Sequence, residues 1–533
     1  MSPIHEQKTV LKGVFILTIG AILTKILSAV YRIPFQNMVG DVGFYIYQQV
    51  YPFYGLALVM TTSGFPVIIS KLYAERKGND AKRLLLISFF FLFGLGLVSF
   101  IAMYLGADLL AASMNDAHLA ILFRVISIIF LILPFTAVLR GYFQGEGDML
   151  PTAVSQVGEQ LMRVATILGL SGLFMSEGYS LYVVGSGASF GSITGGILAV
   201  ILLLFYFKKR KRSRSLSLAR LLKTIRLREV IAVSKVLSLQ GFAVCISGML
   251  LIFIQLADSI NLYTLLISSG YEPLEAKGLK GIYDRGQPLI QLGTVLATSM
   301  SLSLVPLISS EKVKSDKQLL LEKIQTALKI SMMVGAAGAI GLISIMKPTN
   351  MMLFKNSHGT NVLAIIAIVI FFSSVIITIS SILQGLGATV FPAIVILIGF
   401  AIKCIANIPL VLKFGTVGAA ISSVVAMMFI FILLSLKLKK TIQARLLPKG
   451  FGQSISLATI MMGSSLLAYV RLTDFLFAGE RLLATIQALS GVIIGGSLYL
   501  FIVFRSGIFN EAELSLLPFG DKLKALLPNK SRR

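Results

Sequence analysis

Residues 360–383 read TNVLAIIAIVIFFSSVIITISSIL, twenty-four consecutive positions without an Asp, Glu, Lys or Arg. A run this long and this apolar is a membrane-crossing helix, since about 20 apolar residues at the α-helical rise span a bilayer core. Working outward from it, similar runs recur along nearly the whole chain. Towards the N-terminus they fall at Val10–Ile33, Phe44–Ser70, Leu84–Leu105, Leu119–Phe143, Leu150–Phe174, Leu181–Phe207, Val230–Leu262, Gly286–Ile308 and Ile324–Met346. Towards the C-terminus come Phe391–Leu412, Val417–Leu436, Ser454–Val470 and Leu482–Phe504. The expected fold is therefore an all-α polytopic membrane protein with fourteen transmembrane helices.

Composition agrees with that reading. Of 533 residues 56% are hydrophobic and only 13% charged, and the mean hydropathy is +0.88. A soluble chain carries about a quarter charged residues, so a soluble enzyme, a disordered tail protein and a secreted disulfide scaffold are excluded. Lys and Arg number 48 against 23 Asp and Glu, a net charge of +25. The positive-inside rule and contact with anionic membrane lipids account for this excess. No compact polar domain exists to bind nucleic acid, and none is expected as partner. With an even number of spans both termini share a side. Alternate loops then carry roughly 33 basic residues on one face and about 8 on the other, which predicts cytoplasmic N- and C-termini. Lys25 and Arg32 interrupt the first run and no small-residue cleavage site follows it, so a retained helix is expected.

The chain repeats itself at an offset of 240. Pro66 matches Pro306, Gln144-Gly145-x-Gly147 matches Gln384-Gly385-x-Gly387, and Arg163 matches Lys403. Gly43, Tyr45 and Gln49 match Gly281, Tyr283 and Gln287 with a two-residue slip. A repeat of six spans keeps its membrane orientation, which predicts two six-helix lobes about an axis along the membrane normal. The expected division is 1–207 for the N-lobe, 208–229 for a basic cytoplasmic linker and 230–440 for the C-lobe. Residues 441–505 then hold the two C-terminal helices and 506–533 a cytoplasmic tail. In the linker Leu218, Leu221, Leu222 and Ile225 share a helical face among basic residues. An interfacial helix on anionic lipid and a solvated linker both fit that pattern. Leu523, Leu526 and Leu527 beside Lys522 and Lys524 give a weaker version in the tail.

Ionisable groups inside spans cost about 2.5–3.5 kcal/mol each at the centre, so they usually face a bundle interior or wet cavity. Here they include Lys25 and Arg32 in span one, Glu159 and Arg163 in span five, Lys235 and Asp258 in span seven, Asp284 and Arg285 entering span eight, and Lys403 in span eleven. Basic groups dominate, and Lys and Arg lining a cavity concentrate an anionic substrate. Lys25, Arg32, Arg285 and Lys403 are the candidate substrate contacts. Snorkelling to the interface is the competing reading for Arg32 and Arg285, and the favoured one for Lys235. Glu159 and Arg163, at i and i+4, are expected to form an ion pair within one helix. Asp258 and Asp284 are the acids available for a cavity ion pair or for ion coupling.

Enzyme chemistry finds no motif: no phosphate loop, no His-Glu-x-x-His and no Gly-x-Ser-x-Gly occurs. His5, His118 and His358 have no metal-ligand spacing, and Cys245 and Cys404 lie in apolar runs. No catalytic residue, metal site or cofactor is expected. The Gln144–Gly147 stretch reads as a tight interhelical turn.

Thr24-Lys25-Ile26-Leu27-Ser28, Tyr31-Arg32-Ile33-Pro34, Gly40-Asp41-Val42-Gly43 and Tyr47-Gln48-Gln49 resemble the SpoVB/MurJ polysaccharide-exporter group. Gln255-Leu256-Ala257-Asp258 and the run Gly281-Ile282-Tyr283-Asp284-Arg285-Gly286-Gln287-Pro288-Leu289 are similar to its sporulation-protein branch. The resemblance covers the whole chain. It implies membership of the multidrug/oligosaccharidyl-lipid/polysaccharide exporter superfamily in a bacterial cytoplasmic membrane. The implied activity is flipping of an undecaprenyl-pyrophosphate-linked saccharide, such as lipid II, by alternating access. Lys25, Arg32 and Arg285 would contact the pyrophosphate, and the last two spans would take the prenyl tail. Other cell-wall synthesis proteins are the implied partners. The chain departs from the group in span two, where Phe44–Ser70 carries no arginine. Some members hold a cation between spans seven and eleven; here Lys403 stands beside Asn407 in span eleven and could replace it. Coupling is left among the membrane potential, H+ and Na+. A drug/cation antiporter, which would depend on Asp258, is the alternative; a membrane glycosyltransferase using outer-loop acids such as Asp108 and Asp116, and a scaffold for a cell-wall complex, rank below it.

Overall fold

The computed structural model describes residues 3–210, 224–295, 297–299, 308, 316–477 and 480–508. Most of the linker pattern (Leu218, Leu221, Leu222), Pro306 and the Leu523–Leu527 pattern lie outside these residues. The described chain is helical throughout, with no strand among the described residues. It holds eleven helical stretches long and apolar enough to cross a membrane. Two of them, Ile16–Ala74 and Val390–Ile442, have 59 and 53 residues, far more than one crossing needs.

The chain packs as two compact units. One comprises Met1–Asp284 with Gly387–Ala419, the other Arg285–Leu386 with Ala420–Arg533. The first unit opens with α1 (Pro3–Val30) and α2 (Arg32–Val59), which breaks at Gly40, where φ is +70°. Only a residue without a Cβ takes that conformation at low cost. A π-helical turn, Met60–Gly64, leads into α3 (Phe65–Ala74). Then come α4 (Gly78–Leu105), α5 (Ala107–Ser113), α6 (Ala120–Ser127), α7 (Ile129–Gly145), α8 (Leu150–Ser176) and α9 (Leu181–Arg210).

Span seven, expected as one run over Val230–Leu262, is segmented. It consists of α10 (Leu227–Val236), a second π-helical turn at Leu237–Gly241, α11 (Phe242–Gly248) and α12 (Leu250–Ser268). Ser238, Gln240 and Gly241 fall within this turn, and π-helix occurs mostly as such single-turn bulges inside α-helices. The stretch left between spans seven and eight holds a further helix, α13 (Pro273–Asp284), with Lys280 and Asp284 buried on it. Its helical signal was masked by charge, since an ion pair four residues apart satisfies itself on one face.

The second unit contains α14 (Gly286–Gly293), α15 (Lys317–Ser344), α16 (Met346–Phe354), α17 (Thr360–Gly385), α19 (Phe451–Phe477) and α20 (Arg481–Arg505), while α18 (Val390–Ile442) runs through both units. Its core joins Ile330, Met333, Met462, Leu466, Tyr499 and Phe504 from α15, α19 and α20, and the Tyr499 hydroxyl donates to the Met333 carbonyl at 2.9 Å. The two matched Gln-Gly-x-Gly stretches have the same local form. Each ends a helix, at Gly145 and Gly385, and each places a glycine at positive φ two residues on, Gly147 at +76° and Gly387 at +92°. This is the usual left-handed stop of a helix.

Small residues set the position of α8, the helix that carries Glu159 and Arg163. A Cβ on Gly191 or Gly195 of α9 would press on the carbonyl oxygen of Arg163 or Glu159, at 2.9 and 2.6 Å. Lipid tails are as apolar as side chains, so such close backbone approach replaces hydrophobic burial as the basis of helix association in a membrane.

Candidate functional site

Arg32, at the start of α2 and on the N-terminal side of the break at Gly40, is fully buried. Beyond Gly40, Tyr47, Tyr51 and Tyr54 fall on one face at helical spacing. Their rings meet two guanidinium groups. The Arg32 Cζ lies 4.2 Å from the Tyr51 ring centroid and 6.0 Å from that of Tyr31. The Arg163 Cζ lies 4.1 Å from Tyr54, 5.3 Å from Tyr31 and 5.5 Å from Tyr51. Arg163 Nη2 donates to the hydroxyls of Tyr47 at 2.7 Å and Tyr31 at 3.1 Å. Those hydroxyls are bonded to each other at 2.7 Å. Lys25, one helical face above Arg32, is half-buried and within electrostatic reach of Tyr51.

The expected Glu159–Arg163 ion pair does not form. Glu159 accepts instead from Arg140 Nη2 at 2.7 Å, with both side chains almost fully buried. Arg140 also donates to Ser155 Oγ and to the Thr61 carbonyl, both at 3.1 Å. The physical reason is local: the π turn at Met60–Gly64 leaves backbone carbonyls without a helical donor, and Arg140 satisfies one while neutralising Glu159. Sequence reasoning missed Arg140, although it and Arg124 both stand in the apolar run of span four.

A second polar cluster lies deeper in the same unit. Lys403 Nζ contacts Asp258 Oδ1 at 2.6 Å, Asn407 Oδ1 at 2.9 Å and the Ala419 carbonyl at 2.7 Å. Asp258 also accepts from the Tyr283 hydroxyl at 2.7 Å and from Asn407 Nδ2 at 3.1 Å, and Asn407 Nδ2 reaches Asn261 at 2.7 Å. Asp258, Lys403 and Asn407 are all inaccessible to solvent. The structure thus sets Lys403 against Asp258, Asn407 and the Ala419 carbonyl. Asp284 is met by Lys280 at 2.7 and 2.8 Å, with Arg32 and Asp258 also within electrostatic reach.

A third cluster was not foreseen. Asp116 receives Lys277 Nζ at 2.9 Å and the hydroxyls of Tyr182 at 2.8 Å and Tyr45 at 3.2 Å. Asp108 is paired with Arg124 at 2.6 Å, so Asp108 and Asp116 both have basic partners. In the second unit Arg285, fully buried, donates to Asn356 Oδ1 at 2.7 Å and Asn350 Oδ1 at 3.3 Å, and lies 5.2 Å from the Phe354 ring. Lys235 is exposed.

The charge balance of the first unit follows. Its buried acids Asp116, Glu159, Asp258 and Asp284 face Lys277, Arg140, Lys403 and Lys280 in turn. Among the described residues the fully buried bases of this unit, Arg32, Arg140, Arg163, Lys280 and Lys403, outnumber the buried acids, so that set is net cationic.

A family model described as polysaccharide biosynthesis protein matches residues 10–312. The chain belongs to that family. Over 523 residues it is 45% identical to the uncharacterized membrane protein YabM of Bacillus subtilis (strain 168), covering 97% of this chain and 96% of YabM. It is 25% identical to lipid II flippase MurJ of the same organism, over 95% of this chain and 97% of that one. A solved structure of lipid II flippase MurJ in an inward closed conformation superposes with a TM-score of 0.62 at 17% identity, covering 92% of this chain and 97% of the other. Fold and family are those that the span-one, span-two and span-eight motifs resemble.

Proposed function

We propose that this chain moves a polyprenyl-pyrophosphate-linked saccharide, lipid II or a related cell-wall precursor, across a bacterial cytoplasmic membrane by alternating access. The observation that carries the reading is the net cationic interior of the first unit. Among the described residues five fully buried bases, Arg32, Arg140, Arg163, Lys280 and Lys403, stand against four buried acids. Such an interior favours an anionic cargo, and guanidinium forks match phosphate oxygens. A cation exporter needs an acid that can release its partner for the cargo. Asp258, the one proposed for that role, is held by Lys403, Tyr283 and Asn407. The full-length likeness to a lipid II flippase supports the class of cargo.

In this mechanism Lys25, Arg32 and Arg285 are the basic residues that take the pyrophosphate of the head group. The prenyl tail stays in lipid throughout. Lys403 already supplies a cation beside Asp258, which supports drive from the membrane potential or from protons over drive from bound Na+. Both termini are cytoplasmic, as the loop charges favour.

The test is complementation of a flippase-depleted bacterium, with lipid II accessibility at the outer leaflet as readout. Wild type is expected to rescue, and Lys25→Ala and Arg285→Ala are expected to fail despite normal membrane insertion. Loss of one charge-assisted contact removes about 1.5–3 kcal/mol of binding. Rescue by both variants would overturn the reading.

A further inference from the structure

Lys277 on α13 is held by residues from four other parts of the first unit. Its Nζ meets Asp116 Oδ2 at 2.9 Å and donates to the Tyr182 hydroxyl at 2.6 Å. It lies 5.3, 5.6 and 5.9 Å from the ring centroids of Tyr182, Tyr263 and Tyr45. Asp116 comes from the stretch between α5 and α6, Tyr182 from α9, Tyr45 from α2 and Tyr263 from α12. Three aromatic rings and a carboxylate make a socket for an ammonium group. The charges are distributed so that the socket can be left. The other ion pair of α13, Lys280 with Asp284 at 2.7 Å, lies within the helix and travels with it. Asp116 without Lys277 keeps two phenol donors, Tyr182 at 2.8 Å and Tyr45 at 3.2 Å. The Lys277 side chain is itself 16% exposed, so its ammonium has a short path to water.

Behind the socket α2 and α12 run antiparallel along one seam. The Tyr45 and Tyr263 rings meet at 5.2 Å, Gln49 Nε2 donates to the Ser259 carbonyl at 3.0 Å, and a Cβ on Gly55 would lie 3.0 Å from Ile252. Helix α13 closes the end of α2 beside this seam, where a Cβ on Gly281 would overlap the Asp41 carbonyl. The middle of the seam is polar but unmatched. Among the described residues, Gln49 Oε1, Ser259 Oγ and both polar side-chain atoms of the adjacent Gln48 are buried with no hydrogen-bond partner. Each such group destabilises the closed arrangement and would recover its hydrogen bonds in water.

We propose that Lys277 is the latch of an outer gate within the first unit: when its ammonium leaves the socket, the outer end of the α12–α13 hairpin parts from α2 and water enters the Gln49–Ser259 seam. The latch favours closure and the unmatched seam favours opening, which keeps both arrangements within reach of each other. The inference rests on the function and orientation proposed above for the side of the membrane. Asp116, Tyr182 and Lys277 lie at the connections after spans three, five and seven, which a cytoplasmic N-terminus places outside.

The experiment uses the full-length protein in lipid nanodiscs, in a Cys245→Ala, Cys404→Ser background. Spin labels are placed at Leu274→Cys on α13 and Ser113→Cys on α5, both exposed, and pulsed electron spin resonance gives their separation. With Lys277 intact, the short separation of the closed arrangement is expected to dominate. Lys277→Met should raise the ratio of a longer separation to the short one about 10- to 150-fold, the equivalent of one charge-assisted contact. Lys277→Arg, which keeps the charge, should stay near wild type, and Tyr182→Phe, which removes the hydroxyl between Lys277 and Asp116, should fall between. In intact cells, Ser259→Cys should react with a membrane-impermeant maleimide faster when combined with Lys277→Met. Folding of each variant is read from thermal unfolding, and Tyr182→Phe carries the test if Lys277→Met does not fold. A purely structural contact would lower the melting temperature and leave both readouts unchanged; that result in a folded variant overturns the gate. So does a Ser259→Cys that reacts only after the cells are permeabilised. A gate that opens in Lys277→Met, in a protein that translocates no lipid II in vesicles, leaves the latch standing and sinks the transport reading instead.

Discussion

Removing the ammonium of Lys403 should expose what the buried acid beside it costs. Its Nζ is met by three oxygens, on Asp258, Asn407 and the Ala419 backbone, at 2.6 to 2.9 Å, and both members of the ion pair are inaccessible to solvent. Lys403→Met leaves the Asp258 carboxylate with the Tyr283 hydroxyl and the Asn407 amide as donors, and without a countercharge. Breaking a buried pair in this way costs about 3–5 kcal/mol. In a chain this long that corresponds to a fall in melting temperature of roughly 3–10 °C. Adding Asp258→Asn removes the stranded charge and supplies an amide that can donate to the Ala419 carbonyl, so the double variant should recover at least half the loss. Cys245 is a free, buried thiol, and a thiol-reactive fluorogenic dye in a Cys404→Ser background reports its exposure on heating. The smaller Lys403→Ala should in addition regain stability in NaCl over choline chloride, since three oxygens then surround a vacated cation position. A Lys403→Met protein as stable as wild type, or a double variant no better than the single one, would refute the account of the cluster.

Two further outcomes follow from the packing of α8. Glu159→Gln leaves the Arg140 guanidinium buried without its carboxylate but still bonded to Ser155 and Thr61, so a loss of about 3 kcal/mol is expected in thermal unfolding; an unchanged melting temperature would mean that Glu159 does not neutralise Arg140. Gly195→Val forces α9 away from the carbonyl of Glu159, which should cost about 1–3 kcal/mol as overpacking. A variant with wild-type stability would show that α8 is positioned by other contacts.

Membrane-helix character was legible from runs such as 360–383 because lipid imposes a single requirement, continuous apolarity over the thickness of the bilayer. The breaks were harder to read. Gly40 and the turns at Met60–Gly64 and Leu237–Gly241 alter direction without interrupting hydropathy. Helix α13 was lost for the opposite reason: Lys277, Lys280 and Asp284 make it look like a loop, and only their partners, one on the same helix and one at Asp116, make it compatible with burial.

The site divides along the same line. Which residues are ionisable inside spans is a property of composition, and Arg32, Arg163, Asp258, Arg285 and Lys403 were all identifiable that way. Which base neutralises which acid depends on helix rotation and on neighbours more than a hundred positions away, as between Asp258 and Lys403. The i, i+4 rule therefore misassigned Glu159, because an intrahelical partner competes with any guanidinium that a neighbouring helix can deliver, and Arg140 also satisfies a backbone carbonyl that Arg163 does not reach. That substitution of partners leaves Arg163 with phenols in place of a carboxylate. In a low-dielectric interior an arginine so placed retains attraction for an anion, whereas one paired with Glu159 would have had little left to offer. The tyrosine spacing 47, 51, 54 was readable as a helical face. Its meaning as the wall of a cationic box required the position of α8, which the glycines of α9 set.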